Sequence, residues 1–178
     1  MRRLLVVLLV ISCGVLTASA IASFSPGVGN GDGDRPRTSP CPEGQALVGF
    51  RGGVGTSPGG LRVVGRIGAI CERKSPRRLI GNLGAGKTRT ERHECPFPMV
   101  AMGIRAHAGD LVDRVRLICR ERKDGKLVGR ERVTGSMGGG GGDPYKVRCP
   151  PGDYATGFAG SLLSDRKVPD FLRLRCAG

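Results

Sequence analysis

The 178-residue sequence has no tryptophan, and its aromatic residues amount to two tyrosines and five phenylalanines. So few flat rings leave little for nucleic-acid bases to stack on, which argues against a nucleic-acid partner despite the chain's basic charge. There are two histidines, His93 and His107, and each stands alone. No Cys, His or carboxylate set lies at metal-ligand spacing, and no Ser sits in a motif with a base, so neither a metal centre nor a nucleophilic triad is expected. A glycosidase-like carboxylate pair would have to come from Asp110, Asp113, Asp165 or Asp170, and no two of these are marked out. The expectation is a protein that is not an enzyme and has no cofactor. Acidic residues are also scarce, 15 against 29 Lys and Arg. Long apolar runs are confined to the start of the chain.

That start reads as an export signal. Met1-Arg2-Arg3 is a basic lead, Leu4 to Leu16 is an apolar run, and Ala18-Ser19-Ala20 is a small-x-small cleavage signal, with Ala20-Ile21-Ala22 as a second choice. Residues 1–22 are therefore set aside as a signal peptide, giving a secreted, extracellular protein. Two rival readings stay open. Val10-Ile11-Ser12-Cys13 resembles a lipobox, which would make the product a membrane-tethered lipoprotein through Cys13. The stretch from Leu4 to Phe24 is also nearly long enough for an uncleaved anchor. A membrane is a partner only in those two cases. Taking Arg2 and Arg3 from the 29 basic residues, against 15 acidic ones, leaves a net +12. Such a charge suits acidic partners such as an anionic polysaccharide or envelope polymer.

Glycine and proline are abundant, 31 and 12 residues. Both interrupt helices and both make turns, so a turn-dense, all-β chain of short strands is expected. Beyond Cys13 there are six cysteines, an even number that in an exported small domain implies disulfides. They punctuate a three-fold repeat. Cys41-Pro42, Cys95-Pro96 and Cys149-Pro150 are each followed, eight residues after the Cys, by a glycine (Gly49, Gly103, Gly157) and a large apolar residue. Each opening Cys lies 54 residues after the last. The units run 41–94, 95–148 and 149–178. Each closes on a second Cys, and Val115, Leu117 and Cys119 alternate with Arg114, Arg116 and Ile118, while Leu172, Leu174 and Cys176 alternate with Arg173 and Arg175. That period of two marks a half-buried strand.

In an antiparallel hairpin the start of one strand lies beside the end of the next. This favours Cys41–Cys71, Cys95–Cys119 and Cys149–Cys176 among the 15 possible pairings, with links between neighbouring units (Cys71–Cys95, Cys119–Cys149) as the alternative. Gly-rich links join the units at Gly81 to Gly86 and Gly135 to Gly142. The N-terminal segment 23–40 has the same character, and it is expected to supply the strand that the shorter third unit lacks, closing a ring.

Three Greek-key units of this size suit a β-prism or a β-trefoil, and the Gln-x-Trp signature usual in trefoil lectins is absent. The pattern Cys-Pro-x-Gly-x-x-x-x-Gly-Phe followed by Asp-x-x-x-x-x-Cys resembles the vitelline membrane outer layer protein, a three-fold β-prism related in fold to the jacalin-like lectins. The resemblance covers Cys41 to Cys176. It departs from the pattern in the first unit, where Gly65 stands in place of Asp and glycines are inserted around Gly52 to Gly60. It implies a structural or glycan-associated extracellular role.

Two groups of candidate site residues follow. Gly109-Asp110-Leu111-Val112-Asp113 matches the G-x-x-x-D loop of jacalin-like lectins, in which Asp and backbone amides hold sugar hydroxyls. Asp170 shares the repeat position of Asp113, and Tyr154 is one of two tyrosines left for stacking. A turn or strand-start role is the alternative for both aspartates. Arg51 and Arg105 share one repeat position and Arg116 and Arg173 another, so a basic site for a polyanion recurs around the repeat. Gly81 to Thr88 also fits the phosphate-loop pattern G-x-x-x-x-G-K-[ST]. It lacks the buried strand before it and the helix after it, so no nucleotide is expected. The functional expectation is an exported binding protein for acidic glycan or cell-wall polymer. A structural coat or matrix protein, and a secreted inhibitor or effector acting through an exposed loop such as Gly135 to Pro144, are the alternatives.

Overall fold

The computed structural model describes residues 23–31, 35–72, 90–163 and 168–177. The export signal, Cys13 and the Gly81–Thr88 motif lie outside them. The described residues hold thirteen strands and no helix: β1 (Ser23–Phe24), β2 (Val28–Gly29), β3 (Arg37–Pro40), β4 (Leu47–Thr56), β5 (Arg62–Cys71), β6 (Thr90–Glu94), β7 (Met99–Ala108), β8 (Val112–Lys123), β9 (Lys126–Val133), β10 (Met137–Gly138), β11 (Asp143–Arg148), β12 (Tyr154–Leu162) and β13 (Pro169–Ala177). They form three antiparallel sheets, the faces of a β-prism. The first has the order β5-β4-β6. The second runs β10-β8-β7-β11, with β9 also on β8. The third runs β1-β13-β12-β3, with β2 also on β13.

Alternation along the strands sends one face of each sheet into a shared core. Phe50 and Ile67 from the first sheet, Ile104 and Val115 from the second, and Phe158 and Leu172 from the third all belong to one buried cluster. Because the three inner faces meet, the three outer faces look away from one another.

The repeat is a set of backbone constraints. The carbonyls of Pro42, Pro96 and Pro150 accept the N–H groups of Gln45, Met99 and Asp153 at 3.1, 2.7 and 3.0 Å, which turns the chain after each opening Cys. Each leading strand then carries a bulge, at Val48, Met102 and Thr156. The bulged carbonyl accepts the N–H of a Cys opening another unit: Val48 from Cys95, Met102 from Cys149, and Thr156 from Cys41. The glycine after the bulge lies under a third strand. A Cβ on Gly49, Gly103 or Gly157 would come within 2.7, 2.6 or 2.5 Å of the carbonyl oxygen of His93, Val147 or Ser39. No other residue fits so close an approach of backbone.

That third strand is β6 in the first unit and β11 in the second. In the third unit it is β3, from ahead of the first repeat, and β1 and β2 pair on β13. The Thr156–Cys41 bond therefore joins last unit to first, and the ring is continuous.

Three disulfides, Cys41–Cys71, Cys95–Cys119 and Cys149–Cys176, staple the hairpins at one end of the prism, with Cα separations of 5.6 to 5.7 Å. Each closes a loop long enough to stabilise the fold by roughly 3 kcal/mol through the unfolded chain's lost entropy. At the same end Arg122 of the second unit ion-pairs with Glu72 of the first at 3.0 Å and lies 4.5 Å over the ring of Tyr154 in the third. Glu72 also accepts the Ala46 N–H at 3.1 Å. One guanidinium thus clasps all three units. The hairpin loops at 57–61 and 109–111 and the glycine segment 139–142 lie at the opposite end.

Candidate binding site

Past its bulge, β7 buries Ile104, Ala106 and Ala108 and turns Arg105 and His107 outward. In register, Arg105 is the Cα partner of Arg116 on β8 and of Lys146 on β11. The outer face of the second unit therefore carries a row of three cations on adjacent strands, about 4.8 Å apart at the backbone. Arg114, one pleat along β8, is the Cα partner of His107. Like charges set directly opposite one another destabilise a sheet. Among the described residues, Arg105, Arg114, Arg116 and Lys146 make no ion pair. The Nε–H of Arg116 and Nδ1 of His107 are buried without a hydrogen-bond partner among the described residues. Together with Pro144 and Tyr145 these residues line a shallow depression of about 460 Å³.

The same face continues into an ordinary ion pair. Arg148 donates Nε–H and Nη2–H to Glu131 at 2.9 to 3.1 Å, and this hydrogen bonding holds the Glu131 carboxyl below the ordinary range. Among the described residues none of the four cations nearer the loops makes such an ion pair, and Lys146 acts on Glu131 only at longer range.

At the end away from the disulfides, Gly109 and Asp113 come together with Ser57, Pro58, Leu61, Leu111 and Gly142 around a notch of about 300 Å³. Asp113 is only 6% exposed. The glycine segment folds over it: the Gly139 N–H bonds the Asp113 carbonyl at 2.7 Å, Arg114 donates its Nε–H to the Gly139 carbonyl, and Gly141 and Gly142 lie close against the carboxylate. Burial raises the Asp113 carboxyl above the ordinary value, with His107 pulling it partly back. Asp170 occupies the equivalent place in the third unit and is 1% exposed. It accepts a 2.7 Å hydrogen bond from Ser161, and its second oxygen has no partner among the described residues. Neither carboxylate stands open to solvent.

Tyr154 lies at the other end, its ring covered by Arg122. Arg51 sits on the first sheet, with Gly68 and Arg92 as its partners. Arg173 sits on the third, stacked 4.0 Å over Phe24. Of the four arginines singled out by repeat position, the fold brings Arg105 and Arg116 side by side and puts Arg51 and Arg173 on the other two faces. Sequence reasoning missed Lys146, Arg114 and His107, which enter the site only through strand register.

No family model and no curated protein sequence matches this chain. Solved structures do match in fold. A prostate-specific WGA16 glycoprotein lectin superposes with a TM-score of 0.59 at 18% identity, covering 84% of this chain and 94% of its own. A mannose-specific jacalin-related lectin from Morus nigra gives 0.60 at 12%, covering 91% and 97%. Single-chain recombinant jacalin gives 0.62 at 12%, covering 92% and 99%. At these identities the likeness is one of fold, the jacalin-like β-prism.

Proposed function

We propose that this protein is an exported, non-catalytic binding protein for an acidic glycan or anionic envelope polymer, which lies across the cationic row of the second unit. The observation that carries this reading is the unpaired row Lys146–Arg105–Arg116. The fold does not require it, since the third unit has Thr38, Ala159 and Arg173 in the same places. A row of opposed like charges that makes no ion pair among the described residues costs stability, a cost offset when an anion binds. Two further observations support the reading. The β-prism is shared with carbohydrate-binding lectins, and three disulfides with an N-terminal export signal suit an extracellular setting. Single sulfate or carboxylate groups would each meet two or three donors on adjacent strands, and a polymer would engage the row repeatedly.

The test is binding of the full chain to polygalacturonate, dextran sulfate and neutral dextran across a salt series. Binding to the two acidic polymers, weakening as salt rises, is expected. Equal binding to neutral dextran would move the site to the Gly109–Asp113 notch. Absence of binding to all three would leave a structural coat protein as the better account.

A further inference from the structure

The repeat position that makes the row in the second unit is also basic in the first. Arg51 corresponds to Arg105, and its Cα partners are Arg92 and Gly68. Arg66, one pleat along β5, lies opposite Gly53, so no side chain stands across from it. The Nε–H groups of Arg51 and Arg66 are both buried without a hydrogen-bond partner among the described residues. Arg66 donates from Nη2 to the Thr90 hydroxyl at 3.3 Å. The nearby acids are committed elsewhere: Glu94 holds Arg92 at 2.6 Å, and Glu91 faces His93 at 3.5 Å and Arg62 at 3.7 Å. Arg51 and Arg66 make no ion pair among the described residues. The third face has Thr38 and Ala159 at these places, and its Arg173 is stacked on Phe24.

We infer that the first unit's outer face is a second, weaker anion site, and that the molecule therefore cross-links acidic polymer chains. This rests on the function proposed above and adds a valence to it. The inner faces of the first and second sheets share one core, so the two basic faces point in different directions. A stiff polyanion seated on one face leaves the other free for a second chain. Two sites per molecule join chains into a network, whereas one site only coats them.

Light scattering from mixtures of the full chain with long-chain polygalacturonate, over a range of protein-to-polymer ratios, tests this. The expected result is scattering that rises and then falls as protein saturates the polymer, and that is abolished by short oligogalacturonates. The Arg51→Gln/Arg66→Gln variant should keep its affinity for immobilised polymer within about threefold but lose about tenfold or more of the peak scattering. Should that variant unfold, Arg92→Gln, an exposed change on the same face, is expected to lower the peak in the same sense. Polymer binding without scattering at any ratio overturns the inference and leaves the single-site function standing. So does a folded first-face variant that scatters like the native protein. Absence of polymer binding overturns both.

Discussion

The second and third units share a backbone and differ in what they display on it. Both place a glycine at positive φ (Gly138 at 105°, Gly29 at 96°) against the strand carrying a buried aspartate. Both return a hydroxyl residue to that strand: Thr134 and Ser25 accept the Leu117 and Leu174 N–H groups, each at 3.0 Å. On the outer face they part company. Where the second unit has Lys146, Arg105 and Arg116, the third has Thr38, Ala159 and Arg173. The frame is set by contacts that tolerate no alternative, and the face is open to choice. Function is therefore to be sought in the face.

The frame should be the costlier part to disturb. A Cβ on Gly138 or Gly29 would collide with the carbonyl oxygen of Asp113 or Asp170. Gly138→Ala and Gly29→Ala should each destabilise by about 3 kcal/mol or more, to a similar degree, as read from denaturant midpoints. A mild effect in one unit alone would break the equivalence.

Reversing the row, Arg105→Glu with Arg116→Glu, should weaken polygalacturonate binding by more than about tenfold at physiological salt, with little change in thermal midpoint. Arg173→Glu should shift it by less than about twofold. Equal losses from the two faces would show general charge attraction in place of a site.

The buried aspartate of the second unit gives a pH test. Burial raises its folded-state pKa above the value of 3.8 taken for an ordinary aspartate. The folded chain therefore favours the protonated form. The resulting stability is fully present below the ordinary aspartate pKa and is lost as pH rises through the raised one. Relative to the native protein, Asp113→Asn should thus be comparatively more stable at neutral pH than at pH 3, measured by thermal unfolding at both. A pH-independent difference would remove burial as the cause.

The smallest effect expected is that of Phe24→Ala. It uncovers Arg173 and forfeits a cation–π contact of about 0.5–1 kcal/mol, seen as a small drop in midpoint.

The frame was legible in the sequence because its constraints fall on residues with few substitutes. The Cys-Pro turns, the glycine eight residues on and the constant spacing report backbone geometry, and one chain states them three times. Hairpin geometry likewise favoured the cysteine pairs that the structure joins. The face was only half legible. Arg51 and Arg105 could be matched by counting from the cysteines, as could Arg116 and Arg173. That Arg105 stands beside Arg116 depends on a bulge at Met102 that shifts the register. That Lys146 completes the row depends on pairing across 41 residues, which no local pattern announces. The two aspartates match each other by repeat position, but the burial of Asp113 comes from a glycine segment folding over it, a tertiary event with no period to read.

The Arg122 clasp has a consequence for how such a molecule can change. Each hairpin is stapled by its own disulfide and one guanidinium joins the three stapled ends, so the units are bound like a sheaf tied near its base. The hairpin tips at the other end are free to be lengthened, shortened or recoloured without loosening the knot. Diversity among molecules of this build should accumulate at the untied end, and proteolytic nicks in the 57–61 or 109–111 loops should leave the pieces joined by Cys41–Cys71 or Cys95–Cys119.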